Sequence, residues 1–192
     1  MVPSSHHESL YRDYLKELEA SFPGFRLVKK GQSSVNRVID RLVRAITFGR
    51  QSEYLNSFVT TLGRRVYVPD SWEQLPPGER YCIMRHEAVH LRQFRTYTWL
   101  GMFFLYVLLP LPVGWSGRRF IELPAYKETL TARWQLYGAA AAHDVDLREQ
   151  IVERFTGPAY AWMWLNGGAI RQALDAHLAI LTTSPPPELL PS

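Results

Sequence analysis

His86-Glu87-Ala88-Val89-His90 is the stretch that most limits what this chain can fold into. Two histidines four residues apart share one face, about one turn from each other, only if the segment is a helix. Both imidazoles can then reach a single Zn²⁺, with the intervening glutamate beside the ion's water. So short a pattern also arises by chance, on a surface helix with two ordinary histidines. The flanking residues favour a helix. Pro76-Pro77-Gly78-Glu79 suits a first turn, and Ile83, Met84, Leu91 and Phe94 supply an apolar face reaching Tyr97 or beyond.

A catalytic zinc takes three protein ligands and keeps one position for water. After His90 the chain reads Leu91-Arg92-Gln93-Phe94, and the next histidine is the distant His143. A glutamate is therefore the better third candidate. Glu122 is the first acidic residue after Glu87, and Glu122-Leu123-Pro124-Ala125-Tyr126 is expected to open the next long helix, which continues to about Ala142. Glu128, on another face of that helix, is the less favoured alternative.

The remaining elements follow from periodicity and turn chemistry. Ser5 to Ala20 is predicted helical through Leu10, Tyr14, Leu15 and Leu18, and Phe22-Pro23-Gly24 ends it. Phe25 to Lys29 is a short strand candidate. A second helix is expected from Ser33 or Ser34 to Phe48, with Val35, Val38, Ile39, Leu42, Val43 and Ile46 inside and Arg37, Arg41 and Arg44 on one face. Ser57 to Leu62 and Arg65 to Val68 alternate as strands about a tight Gly63-Arg64 turn. Ser71-Trp72-Glu73-Gln74 is expected to form a capping box. Asp144 to Phe155 and Asn166 to Thr182 are predicted helices, joined by an aromatic loop through Tyr160, Trp162 and Trp164.

With 192 residues, 46% of them hydrophobic, a single domain over residues 1–183 can bury a core without disulfides, ahead of a Pro-rich tail at 184–192. The lone Cys82 is expected to be a small core residue. The first twenty or so residues lack the basic start and apolar run of an export signal, so a cytoplasmic location is expected. A net charge of +4 is modest and gives no firm indication of nucleic-acid binding; the arginine face of the second helix reads as a solvated surface. The nearly uncharged run from Trp99 to Trp115 is cut by Pro110 and Pro112, shorter than the ~20 residues of a membrane span. Buried core or a hydrophobic wall is expected there, with membrane contact as the minority reading.

H-E-A-V-H together with the Glu122-Leu123-Pro124-Ala125 segment resembles the gluzincin metallopeptidases, in which H-E-x-x-H on one helix is completed by a glutamate on a later one. The chain looks most like the small single-domain members, the minigluzincins, through Gln93 (H-E-x-x-H-x-x-Q) and Tyr126 (E-x-x-A-Y). The resemblance covers roughly Val66 to Tyr137. It implies a mainly helical α+β zincin-like domain with a small antiparallel sheet beside the motif helix. It also implies His86, His90 and Glu122 as zinc ligands and Glu87 as the general base. One position departs from the family: where many gluzincins place an aspartate that orients a ligand imidazole, this chain has Tyr126. Another group, such as a backbone carbonyl, is then expected to orient the imidazoles.

The chemistry implied is zinc-dependent hydrolysis of peptide bonds in an unspecified protein or peptide. Tyr126, one turn from Glu122, is the first candidate for an oxyanion donor, against a reading as a packed aromatic. Arg133, on the same face about three turns, or about 16 Å, along the axis from Glu122, suits an ion pair better, and His143 reaches the site only if its loop folds back. The edge of the hairpin around Gly63 is a place for an extended peptide. The alternative from another class is a non-catalytic zincin-fold protein that binds nucleic acid or a membrane-associated partner. Glu87 argues for catalysis, because metal binding alone does not require it.

Overall fold

The computed structural model describes residues 4–32, 59–103, 117–156 and 167–183. The expected second helix with its arginine face, the apolar run beyond 103, the aromatic loop and the tail lie outside the described residues. The chain divides into two compact units, Met1–Phe94 and Arg95–Ser192.

In the first unit, α1 (Ser4–Ser21) is followed by β1 (Arg26–Lys29), β2 (Thr60–Leu62), β3 (Arg65–Val68), a 3₁₀ turn (Asp70–Gln74) and the larger part of α2 (Pro77–Phe103), whose last residues belong to the second unit. The expected hairpin is present. Thr60, Thr61 and Leu62 pair antiparallel with Tyr67, Val66 and Arg65. Gly63 takes φ +62° at the first loop position, where a side chain would be strained and a type II′ turn requires the left-handed region. β1 joins the other side of β3 in parallel, from Arg26 opposite Arg65 to Lys29 opposite Val68, so the small sheet is mixed, in the order β1-β3-β2. A parallel partner cannot come from a tight turn, and here more than thirty residues separate β1 from β3. Val66, Tyr67 and Val68 are all buried, as suits the middle strand.

An aromatic and ionic cluster ties α1 and the 3₁₀ turn to the start of α2. Trp72 is fully buried, and its indole N–H donates to the Tyr11 hydroxyl at 2.9 Å. The Arg80 guanidinium lies 4.6 Å from the centre of the Tyr11 ring and donates at 2.7 Å to both Glu8 and Glu73. One buried cation thus joins three elements through charge-assisted bonds. The expected capping box does not form. The turn starts at Asp70 after an extended Pro69 with no side-chain cap, so Ser71 lies inside it and is not placed as the N-cap that Gln74 would answer. Tyr81 meets Tyr14 edge-on at 5.3 Å, and Cys82 is buried as expected.

Pro77 begins α2, where a missing N–H costs nothing. Regular helix ends at Thr98, with φ 59° and ψ 175°. A β-branched residue rarely adopts that conformation, and it divides the motif-bearing part of α2 from its last turn.

In the second unit, α3 (Gly117–Tyr137) starts earlier than the sequence suggests. Glu122 does not open the helix, and Pro124 lies inside it. The buried Ile121 anchors the turn before the proline, so packing there outweighs the one N–H that proline lacks. The helix also stops sooner: Gly138, at φ +84°, separates it from the short α4 (Ala139–Ala142). α5 (Val145–Thr156) is capped by Asp144, whose carboxylate accepts from the Asp146 and Leu147 amides at 2.9 and 3.2 Å. α6 (Gly167–Thr183) runs antiparallel to it, because Gly167 lies against Val152 and Thr156 while Arg171 and Asp175 pair with Glu149 and Arg148. Leu130, Ala142, Ile151, Val152, Phe155, Ile170, Leu174 and Leu178 form the core, with Tyr126 edge-on to Phe155 at 5.5 Å.

His177 joins α6 to α3. Its Nε2 lies 3.0 Å from the Lys127 carbonyl and 2.9 Å from the Thr131 hydroxyl, which itself donates to that carbonyl. Burial, and then the Lys127 ammonium, push the imidazole below the usual histidine range. The fold therefore favours neutral His177. Its stabilising contribution is complete above the unfolded-state value of about 6.5 and is lost as pH falls through the lower folded-state value. Wild type should lose more resistance to urea between pH 7.5 and 5 than His177→Gln does; parallel pH profiles would refute the assignment.

Candidate metal centre

The motif occupies the buried middle of α2, not a surface face. Ala88 is fully enclosed, Glu87 and His90 are only 5% and 8% exposed, and Gln93 one turn on is 9% exposed. Polar groups withdrawn from water this far are costly unless each has a partner. Each of these three has one.

The carboxylate of Glu87 accepts a 2.7 Å hydrogen bond at Oε2 from the hydroxyl of Thr61. Thr61 is the inward-facing residue of β2, directly opposite the buried Val66. The sheet therefore sits beside the motif helix and holds one oxygen of its glutamate. His90 Nδ1 lies 2.9 Å from Gln93 Oε1. A carbonyl oxygen accepts, so the proton of a neutral His90 resides on Nδ1 and the lone pair on Nε2. That Nε2 faces His86 Nε2 at 3.3 Å, with the two rings steeply tilted.

The spacing suits an ion. Two nitrogens bound at about 2.0–2.1 Å to one tetrahedral centre stand about 3.3–3.4 Å apart. The ligand atoms of His86, His90 and Glu122 all lie within 4.8 Å of one another, and the Glu122 side chain is buried. Two imidazole nitrogens and one carboxylate are a donor set that zinc accepts, with one position left over. Among the described residues this is the one cluster of at least three histidine, cysteine or acidic side chains so disposed.

The other sequence candidates do not join it. Glu128 is half-buried and His143 is an exposed residue at the end of α4; neither belongs to the cluster. The Arg133 guanidinium lies over the Tyr137 ring. Tyr126 contributes its ring to the apolar core. Thr61 was not legible as a site residue: in a run of alternating strand formers nothing distinguishes the one threonine that meets a carboxylate on another element.

Removing the Thr61 hydroxyl should leave a buried carboxylate oxygen without its donor. Thr61→Val is expected to lower stability by about 1–3 kcal/mol, whereas Thr61→Ser should keep most of it, as read by denaturant unfolding. Equal stability of the valine and serine variants would show that the bond carries no weight. No protein-family model, curated protein or solved structure matches the chain.

Proposed function

We propose that this protein is a zinc-dependent metallopeptidase of gluzincin-like construction, acting on a protein or peptide substrate. The convergence of His86, His90 and Glu122 carries the reading, and the buried Glu87 in the same motif separates it from metal binding alone. His86, His90 and Glu122 would hold the ion. When bound, a zinc ion polarises the scissile carbonyl and makes water a competent nucleophile near neutral pH.

The protein's own residues supply the rest. Glu87 accepts the proton of the attacking water and passes it to the departing amine, which needs a carboxylate held in one orientation. Thr61, bonded to Oε2, restrains the carboxylate and leaves Oε1 for the proton. Tyr126, one turn beyond Glu122 on α3, is assigned as the donor that meets the developing oxyanion.

Three variants test this with a generic peptide substrate and a zinc titration. Glu87→Gln should bind zinc like the wild type and lose hydrolysis, and His90→Ala should lose zinc. Tyr126→Phe should retain both fold and zinc while hydrolysis falls about 100-fold or more. A wild-type protein that takes up no stoichiometric zinc would sink the ligand assignment. Hydrolysis undiminished in Tyr126→Phe would return that residue to a packing role alone.

A further inference from the structure

We infer that Gln93 is a positioning residue for the metal centre, selecting the tautomer and ring orientation in which His90 presents Nε2 to the ion. The inference rests on the proposed metal site and goes beyond its ligands. In the gluzincin pattern a carboxylate four residues after the ligand glutamate performs such a task, and here that position is Tyr126, whose ring packs on Phe155. The structure supplies a different group from a different place. Gln93 lies three residues after His90, so both side chains share one face of α2 and the helix itself sets their separation. The Oε1 to Nδ1 distance is 2.9 Å in a buried setting, where an unmade bond would be costly.

A neutral imidazole carries a single N–H. With Gln93 Oε1 accepting at Nδ1, the lone pair is left on Nε2, the atom that lies 3.3 Å from His86 Nε2. The reverse tautomer would put a proton between the two Nε2 atoms and close the site to a cation. Gln93 thus decides between a histidine pair that binds metal and one bonded to itself. It does so without adding charge. An amide orients as a carboxylate does, yet the ligand set keeps only the negative charge of Glu122. Zinc is therefore held less tightly than it would be with a carboxylate bonded to His90 Nδ1, and the bound ion remains the stronger electrophile.

Two measurements on the full chain decide this. In the first, zinc is titrated against a chromogenic chelator. Gln93→Leu should weaken binding about 10–100-fold, and Gln93→Glu, which keeps an acceptor oxygen and adds charge, should bind at least as tightly as wild type. In the second, ¹⁵N spectra of metal-free wild type should show His90 protonated at Nδ1, a signature that a purely structural glutamine would not fix. Unchanged zinc affinity in a folded Gln93→Leu protein overturns the inference and leaves the metal centre standing. A wild-type His90 protonated at Nε2 overturns it even where the leucine variant fails to fold. Wild type that binds no zinc overturns both the proposed function and this inference.

Discussion

Burial of charged and polar side chains in the middle of α2 is the constraint on which the rest of this structure depends. A glutamate, a histidine and a glutamine enclosed within two turns of one helix would be destabilising as isolated groups. They persist because the chain supplies a partner for each, from β2 to Glu87 and from the next turn of α2 to His90. The sheet is small, yet its hairpin has to hold register, since a slip of one residue would turn Thr61 away from the helix and Glu87 would lose its donor. The type II′ turn at Gly63 fixes that register. A local backbone requirement at one glycine thus bears directly on the orientation of the carboxylate assigned as the base.

The same helix is secured at its other end by a single cation. Arg80 sits two turns before the motif and draws Glu8 and Glu73 onto one guanidinium stacked over Tyr11. Trp72 closes the cluster by bonding to that tyrosine. Arginine suits this position better than lysine because a planar fork can serve two carboxylates and an aromatic face together. With its first turns anchored, α2 runs regularly through the motif and departs from helical geometry at Thr98, beyond the candidate metal ligands. The second unit relies on a different balance, an apolar core among α3, α5 and α6, with His177 as a polar link from α6 to α3.

Local pattern made much of this legible. The hairpin, the helix that begins at Pro77, the helix expected to Phe155 and the burial of Cys82 all follow from turn chemistry and apolar periodicity. So does the ligand pair, because helical spacing alone brings His86 and His90 together. Where the reading failed, a longer-range contact had outweighed a local preference. Ser71 to Gln74 carries the residues of a capping box, but the turn starts one residue earlier, after Pro69, and Ser71 is not at its N-cap. Pro124 marks a helix start by its own chemistry, yet the helix begins at Gly117 because Ile121 is buried.

The sequence by itself determined that a helix bearing His86, Glu87 and His90 would exist, that its two imidazoles would share a face, and that the nearest acidic partner downstream was Glu122. These follow from spacing along one chain segment, and a helix converts spacing into geometry without help. Only the tertiary structure decided that Thr61 holds Glu87, that Gln93 stands at His90 Nδ1, and that Glu122 rather than Glu128 reaches the histidines. Whether a polar side chain is paired, and with which atom, depends on how separate elements pack, and no periodicity along the chain encodes that.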